Sequence, residues 1–140
     1  MTNNKTLPTE LLLPAAKIVS REIAAAIAPY GLAPAQYAML NLLGEQGVLR
    51  PSVIARRLDI EASTTTNTIN RSVRDGFIER ATDPHSSKSV TVKLTEKGKG
   101  ILEDARQSVA GVEAKALSGI EEDQLDMARQ VLERIIANLK

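Results

Sequence analysis

Cysteine and tryptophan are absent, and 140 residues hold one phenylalanine, two tyrosines and one histidine. Without thiols there are no disulfides, thiolate zinc sites or cysteine redox switches. With so few rings, a core must be built from Leu, Ile, Val and Ala, which favours helix packed on helix. The lone His85 lies in a polar turn with no acid placed to orient it, so a Ser-His-acid triad is not expected. It also lacks companions for a metal site. No glycine-rich phosphate loop occurs, because Gly98 and Gly100 fall early in a helix. These absences argue against an enzyme, and no metal or cofactor is expected. No apolar run approaches the roughly 18 residues that span a bilayer. The polar first ten residues show no signal-peptide pattern. A cytoplasmic protein without a membrane partner is the expectation.

Charge is unevenly placed although the net value is only +1. Residues 50–100 carry ten basic and six acidic side chains, whereas residues 101–140 carry five basic and eight acidic. A basic middle between a neutral and an acidic end is consistent with a central segment that meets phosphates.

The length predicts one domain, residues 1–140. Its periodicity predicts a mainly α chain with one small hairpin. Leu11, Ala15, Ile18, Val19, Ile23, Ala26 and Ile27 repeat at helical spacing, so a first helix is expected over about Leu7 to Ala28. Pro14 should kink it or mark its true start. A second helix is expected from Pro34 to Glu45, closed by Gly47. A short helix over Pro51–Leu58, a turn over Asp59–Ala62 and a helix over Ser63–Arg74 follow, the last stopped by Asp75-Gly76. The period then changes to two. Phe77–Ala81 and Val90–Leu94 read as strands around a polar loop, Thr82–Ser89. Thr95 should cap a helix running to about Leu117. A last helix spans Glu121–Leu139 with acids in its first turn. Its wide stripe, Leu125, Ala128, Val131, Leu132, Ile135, Ile136 and Leu139, needs a partner surface, which the first helix and a second copy of the chain can supply.

Two helices joined by a short turn can place the second in a DNA major groove. Here the second opens Ser63-Thr64-Thr65-Thr66-Asn67-Thr68, a run that serves helix stability poorly. Short hydroxyl and amide side chains are what base edges and phosphates accept.

The stretch from Ile54-Ala55-Arg56-Arg57-Leu58 through Asp75-Gly76-Phe77-Ile78-Glu79-Arg80 and Asp83-Pro84 to Val90-Thr91-Val92-Lys93-Leu94-Thr95-Glu96-Lys97-Gly98 resembles the MarR-type winged helix-turn-helix regulators. The resemblance implies a DNA-binding lobe over 34–98 and dimerisation helices over 1–30 and 99–140. It implies a homodimer on a pseudopalindromic double-stranded operator. It places Ser63, Thr64, Thr66, Asn67, Asn70 and Arg71 on the recognition face, Arg74 beside phosphates, and His85 and Lys88 on a wing over Asp83–Lys88. Two departures stand out. Ser86-Ser87-Lys88 replaces the family's Asp-Arg-Arg, which removes the charge an arginine brings to a narrow minor groove. Asp83 is expected to orient the wing by pairing with Arg80 or another cation. Thr65, Thr68 and Ser72 occupy positions where the family usually carries inward-facing aliphatics, so a loosely held recognition helix is expected.

Family members commonly respond to small aromatic or phenolic anions. That implies a repressor released by a small aromatic carboxylate, with Lys17, Arg21, Tyr30, Gln36 and Tyr37 as candidate effector residues. The alternative is a winged-helix dimer that acts as a protein-interaction module with weak DNA binding.

Overall fold

The computed structural model describes the backbone of residues 8–83 and 86–140, and their side chains except those at 83–89. The fold is mainly α with a two-stranded hairpin. The elements are α1 (Pro8–Ile27), a 3-10 turn (Ala28–Tyr30), α2 (Pro34–Gln46), α3 (Pro51–Leu58), α4 (Ala62–Arg74), β1 (Ile78–Asp83), β2 (Ser86–Leu94), α5 (Glu96–Ala116) and α6 (Glu122–Leu139).

Proline and glycine set several boundaries, as expected of residues that preset or permit special backbone angles. Pro34 and Pro51 open α2 and α3. Gly47, at φ +85°, closes α2, and Gly76, at φ +82°, follows α4. Pro14 does not start the first helix, because α1 already begins at Pro8 and runs through it. The turn between α3 and α4 is shorter than expected. Ala62 is already helical and Glu61 is the N-cap, while Asp59 takes the left-handed conformation at φ +54°.

The core gathers Ile27, Met39, Leu40, Leu43, Ile54, Phe77, Ile78, Val92 and Leu102 from six different elements or their margins. Phe77 is one correction. It lies just before β1 rather than in it, because its N–H donates to the Ser72 carbonyl and its own carbonyl accepts from Thr95. The hairpin is a second correction. It reaches beyond the expected strands, pairing Thr82 with Val90 and Asp83 with Ser86 across an irregular register. Leu49 adds a third edge by exchanging backbone bonds of 3.1 and 2.8 Å with Val92. This fastens the α2–α3 loop to the hairpin base.

The start of α5 is a close-packed junction. Thr95 Oγ1 accepts the Gly98 N–H at 3.0 Å, capping α5, and donates to the Gly76 carbonyl. A Cβ on Gly98 would stand 2.0 Å from the Phe77 carbonyl oxygen, so only glycine lets the two backbones approach. This explains the Thr-x-x-Gly spacing physically. By contrast, α6 has almost no packing against the other described elements. Met127, Val131, Leu132, Ile136 and Leu139 on it remain exposed, as do Leu11, Leu13, Ile18 and Val19 on α1.

Candidate nucleic-acid interface

The geometry of α4 begins with its three-four spacing. Thr65, Thr68, Ile69 and Ser72 are buried, whereas Ser63, Thr64, Thr66, Asn67, Asn70, Arg71 and Arg74 are exposed. The seven α4 side chains expected at DNA therefore share the solvent-facing side. His85 lies outside the described residues. Lys88 has a described backbone in β2, but its side chain, like those of Asp83 and Ser87, lies outside them.

The buried side of α4 is polar and its hydroxyls are occupied. Thr65 Oγ1 donates to the Glu61 carbonyl at 3.0 Å, and Thr68 Oγ1 to the Thr64 carbonyl at 2.8 Å. Ser72 Oγ accepts from Gln36 Nε2 at 3.5 Å. No buried side-chain nitrogen or oxygen among the described residues lacks a partner. Polar bonds from three neighbours also hold the C-terminal half of this helix. Gln36 on α2 reaches Asp75 Oδ2 at 3.0 Å. Lys97 on α5 donates to the Asp75 carbonyl at 3.0 Å while its ammonium lies 5.3 Å from the Phe77 ring centroid. Arg80 on β1 donates to Asn70 Oδ1. Arg80 thus ties the hairpin base to the exposed face of α4.

The expected effector residues are dispersed. Lys17 and Arg21 are exposed along α1, and Tyr30 sits half-buried on the 3-10 turn. Gln36 is buried and committed: its Oε1 accepts the Ala33 N–H at 3.1 Å and its Nε2 serves Ser72 and Asp75. Tyr37 is half-buried, and burial pushes its phenol above the usual range. Arg106 opposes that shift and Glu113 adds to it.

Several clefts open among the described residues, and four bear on the site. The first of these four, about 400 Å³, has Leu43, Leu94 and Leu102 in its lining with Lys93, Lys99, Arg106 and Glu103. A second, about 230 Å³, runs between the start of α2 and α4, lined by Gln36, Thr64, Asn67 and Arg71 among others. Two more, about 290 and 250 Å³, are apolar grooves of α1 and α5 around Val19 and Val112. None of these four is lined by Lys17, Arg21, Tyr30 or Tyr37, and Gln36 lines only the second. Sequence reading missed the 400 Å³ cleft. A signal existed: Lys99, Glu103 and Arg106 recur at four- and three-residue steps on one face of α5. Arg106 is held there by bonds of 2.8 and 3.3 Å to the Asn41 side chain and carbonyl.

A sequence model of the MarR family matches residues 30–89. The HTH-type transcriptional regulator YkoM of Bacillus subtilis is 31 % identical over 105 residues, covering 75 % of this chain and 68 % of its own. An HTH-type transcriptional repressor of Mycobacterium tuberculosis is 25 % identical over 126 residues, covering 89 % of this chain and 90 % of its own. A variant of MarR from E. coli, solved in complex with operator DNA, superposes with a TM-score of 0.83 at 21 % identity, over 91 % of both chains.

Proposed function

The chain belongs to the MarR family of helix-turn-helix transcription regulators, and from that premise we propose that its homodimer represses transcription by binding a pseudopalindromic DNA operator. Such regulators act by binding rather than by catalysis. The observation that carries the reading is the division of α4. One face is buried through small hydroxyl residues, and the other presents Ser63, Thr64, Thr66, Asn67, Asn70, Arg71 and Arg74 together. Hydroxyls and amides are able to read base edges, and guanidinium groups meet guanine edges or phosphates. The lobe over 34–98 carries this face, with Lys88 and His85 on the wing. The helical regions 1–30 and 99–140 join two copies, so that two α4 helices meet half-sites about one helical turn apart. The exposed apolar faces of α1 and α6 support that pairing.

The effector is a small aromatic or phenolic anion, bound in the cleft between α2, β2 and α5. Its leucines suit a ring, while Lys93, Lys99 and Arg106 suit a carboxylate. Tyr37 lies close enough for Arg106 to act on its phenol. Lys17, Arg21 and Tyr30 join this site only if the partner copy or a rearrangement brings them to it.

The test is genomic footprinting of the protein, followed by affinity measurements on a bound duplex across a salt series. Several phosphate contacts per dimer give a steep loss of affinity with salt, about 0.9 log units per log unit of salt for each contact. A flat, weak profile overturns the operator reading and favours a protein-interaction module, the reading that the serine at the wing's arginine position supports. For the effector, benzoate should release the duplex from the native protein and act much more weakly on Arg106→Gln. Equal release from both removes the cleft from the mechanism.

A further inference from the structure

Asp75 ends α4 as its C-cap, where the helix dipole is negative and a carboxylate is disfavoured. One group bonds that carboxylate and a second pairs with it electrostatically. Gln36, 1 % exposed, donates from Nε2 to Asp75 Oδ2 at 3.0 Å. Arg71, one turn earlier, brings its Nε to 4.0 Å from the same oxygen. The amide is neutral, so it positions the carboxylate without discharging it. Gln36 cannot drift, because its own carbonyl is occupied by the Ala33 N–H. Arg71 is 52 % exposed and belongs to the face that the operator reading assigns to DNA.

From this arrangement we propose that Asp75, set in place by Gln36, is an intramolecular competitor for Arg71 that lowers the chain's affinity for duplex DNA. The inference rests on the operator reading. In the free protein the guanidinium lies beside an oxyanion one turn ahead along α4, an ion pair at 4.0 Å that is too long for a hydrogen bond, whereas a phosphate would offer it hydrogen-bonded contact. A duplex recruits Arg71 only by displacing that partner. Sequence-independent attraction to phosphates dominates non-specific binding. Occupying one cation per recognition helix therefore lowers the background against which a true operator is chosen. Gln36 is a positioning residue in this scheme and does not itself touch DNA.

The test uses the full-length protein and a mixed-sequence duplex, titrated across a salt series. Asp75→Asn keeps the side-chain shape and an oxygen for Gln36, so the fold is retained. Exposed ion pairs of this kind imply a gain of about two- to fivefold per recognition helix at low salt, fading as salt rises. The decisive comparison repeats Asp75→Asn in an Arg71→Gln background, where the gain should vanish. A DNA-free readout accompanies it: nitrogen relaxation at Arg71 Nε should report a more mobile guanidinium in Asp75→Asn. An equal gain in both backgrounds, or an unchanged Arg71 Nε, overturns the competitor role while leaving the operator reading intact. If the unmodified protein binds no duplex at any salt, the operator reading itself falls and takes this inference with it.

Discussion

Threonine inside a helix interface is an unusual choice, and α4 carries two, Thr65 at 1 % and Thr68 at 7 % exposure. Each hydroxyl donates back to a carbonyl four residues earlier in or beside its own helix. Such back-bonding adds little, because the carbonyl already serves the backbone ladder. Thr68→Val should therefore stabilise the protein by about 0.5–1 kcal/mol, seen as a higher denaturation midpoint. Duplex affinity should stay unchanged, because the residue faces inward; a drop in affinity would contradict the division of α4. Tyr37 gives a pH prediction at the same scale. Its folded-state pKa is raised, chiefly by burial. The neutral phenol is the form the fold accepts. Its contribution is complete below the unfolded value near 10 and is lost as pH rises through the higher folded value. Chemical denaturation of the native protein and of Tyr37→Phe should diverge above about pH 10, the variant losing less stability. Parallel curves would show that the phenol is solvated.

The junction between α4, β1 and α5 is the element that positions the candidate interface. Gly98 and Gly100 are two residues apart on α5 but differ in kind. A methyl on Gly98 would collide with the Phe77 carbonyl, whereas one on Gly100 meets nothing within 4 Å. Gly98→Ala should cost about 3 kcal/mol or more, because backbone must move. Gly100→Ala should instead add about 0.5–1 kcal/mol of stability. Thermal unfolding of the two variants checks the pair, and equal shifts would mean that the Phe77 carbonyl does not sit where described. Thr95 and Gly98 stood out in the sequence by their spacing, but what they clasp did not. The bond from Thr95 Oγ1 to Gly76 spans 19 residues, and only the packed hairpin brings them together. The hairpin length was also hidden. Beyond Ala81 the sequence carries Thr82, Asp83 and Ser86–Ser89, and a run of polar residues leaves no apolar alternation to read.

At the scale of the molecule, α6 and the start of α1 present an apolar surface without a partner among the described residues. Completing the burial of a half-exposed aliphatic side chain is worth roughly 1 kcal/mol. Met127, Val131, Leu132, Ile136 and Leu139 from two copies thus contribute about 10 kcal/mol, within the estimated association cost of about 4–15 kcal/mol. Helix α6 alone is marginal, so Leu11, Leu13, Ile18 and Val19 of α1 must join it. Ile136→Glu should shift the protein from dimer to monomer in sedimentation, with loss of tight duplex binding. A monomeric native protein, or an unmoved variant, would refute the pairing.

The inward residues of α4 were indicated only by the family resemblance, whereas local residue chemistry settled a good deal unaided: the proline starts of α2 and α3, the Thr95 cap of α5 and the apolar stripes of α1 and α6. These follow from periods of 3.6 and 2, and from the backbone limits of proline and glycine, which act within a turn or two. Tertiary structure alone decided the partners of polar side chains. It turned Gln36 from a candidate ligand contact into a buried strut for Asp75, paired Arg80 with Asn70, and drew Lys93, Lys99 and Arg106 around one cleft. A hydrogen bond between residues 39 positions apart depends on how helices cross, and periodicity within one helix carries no record of the crossing.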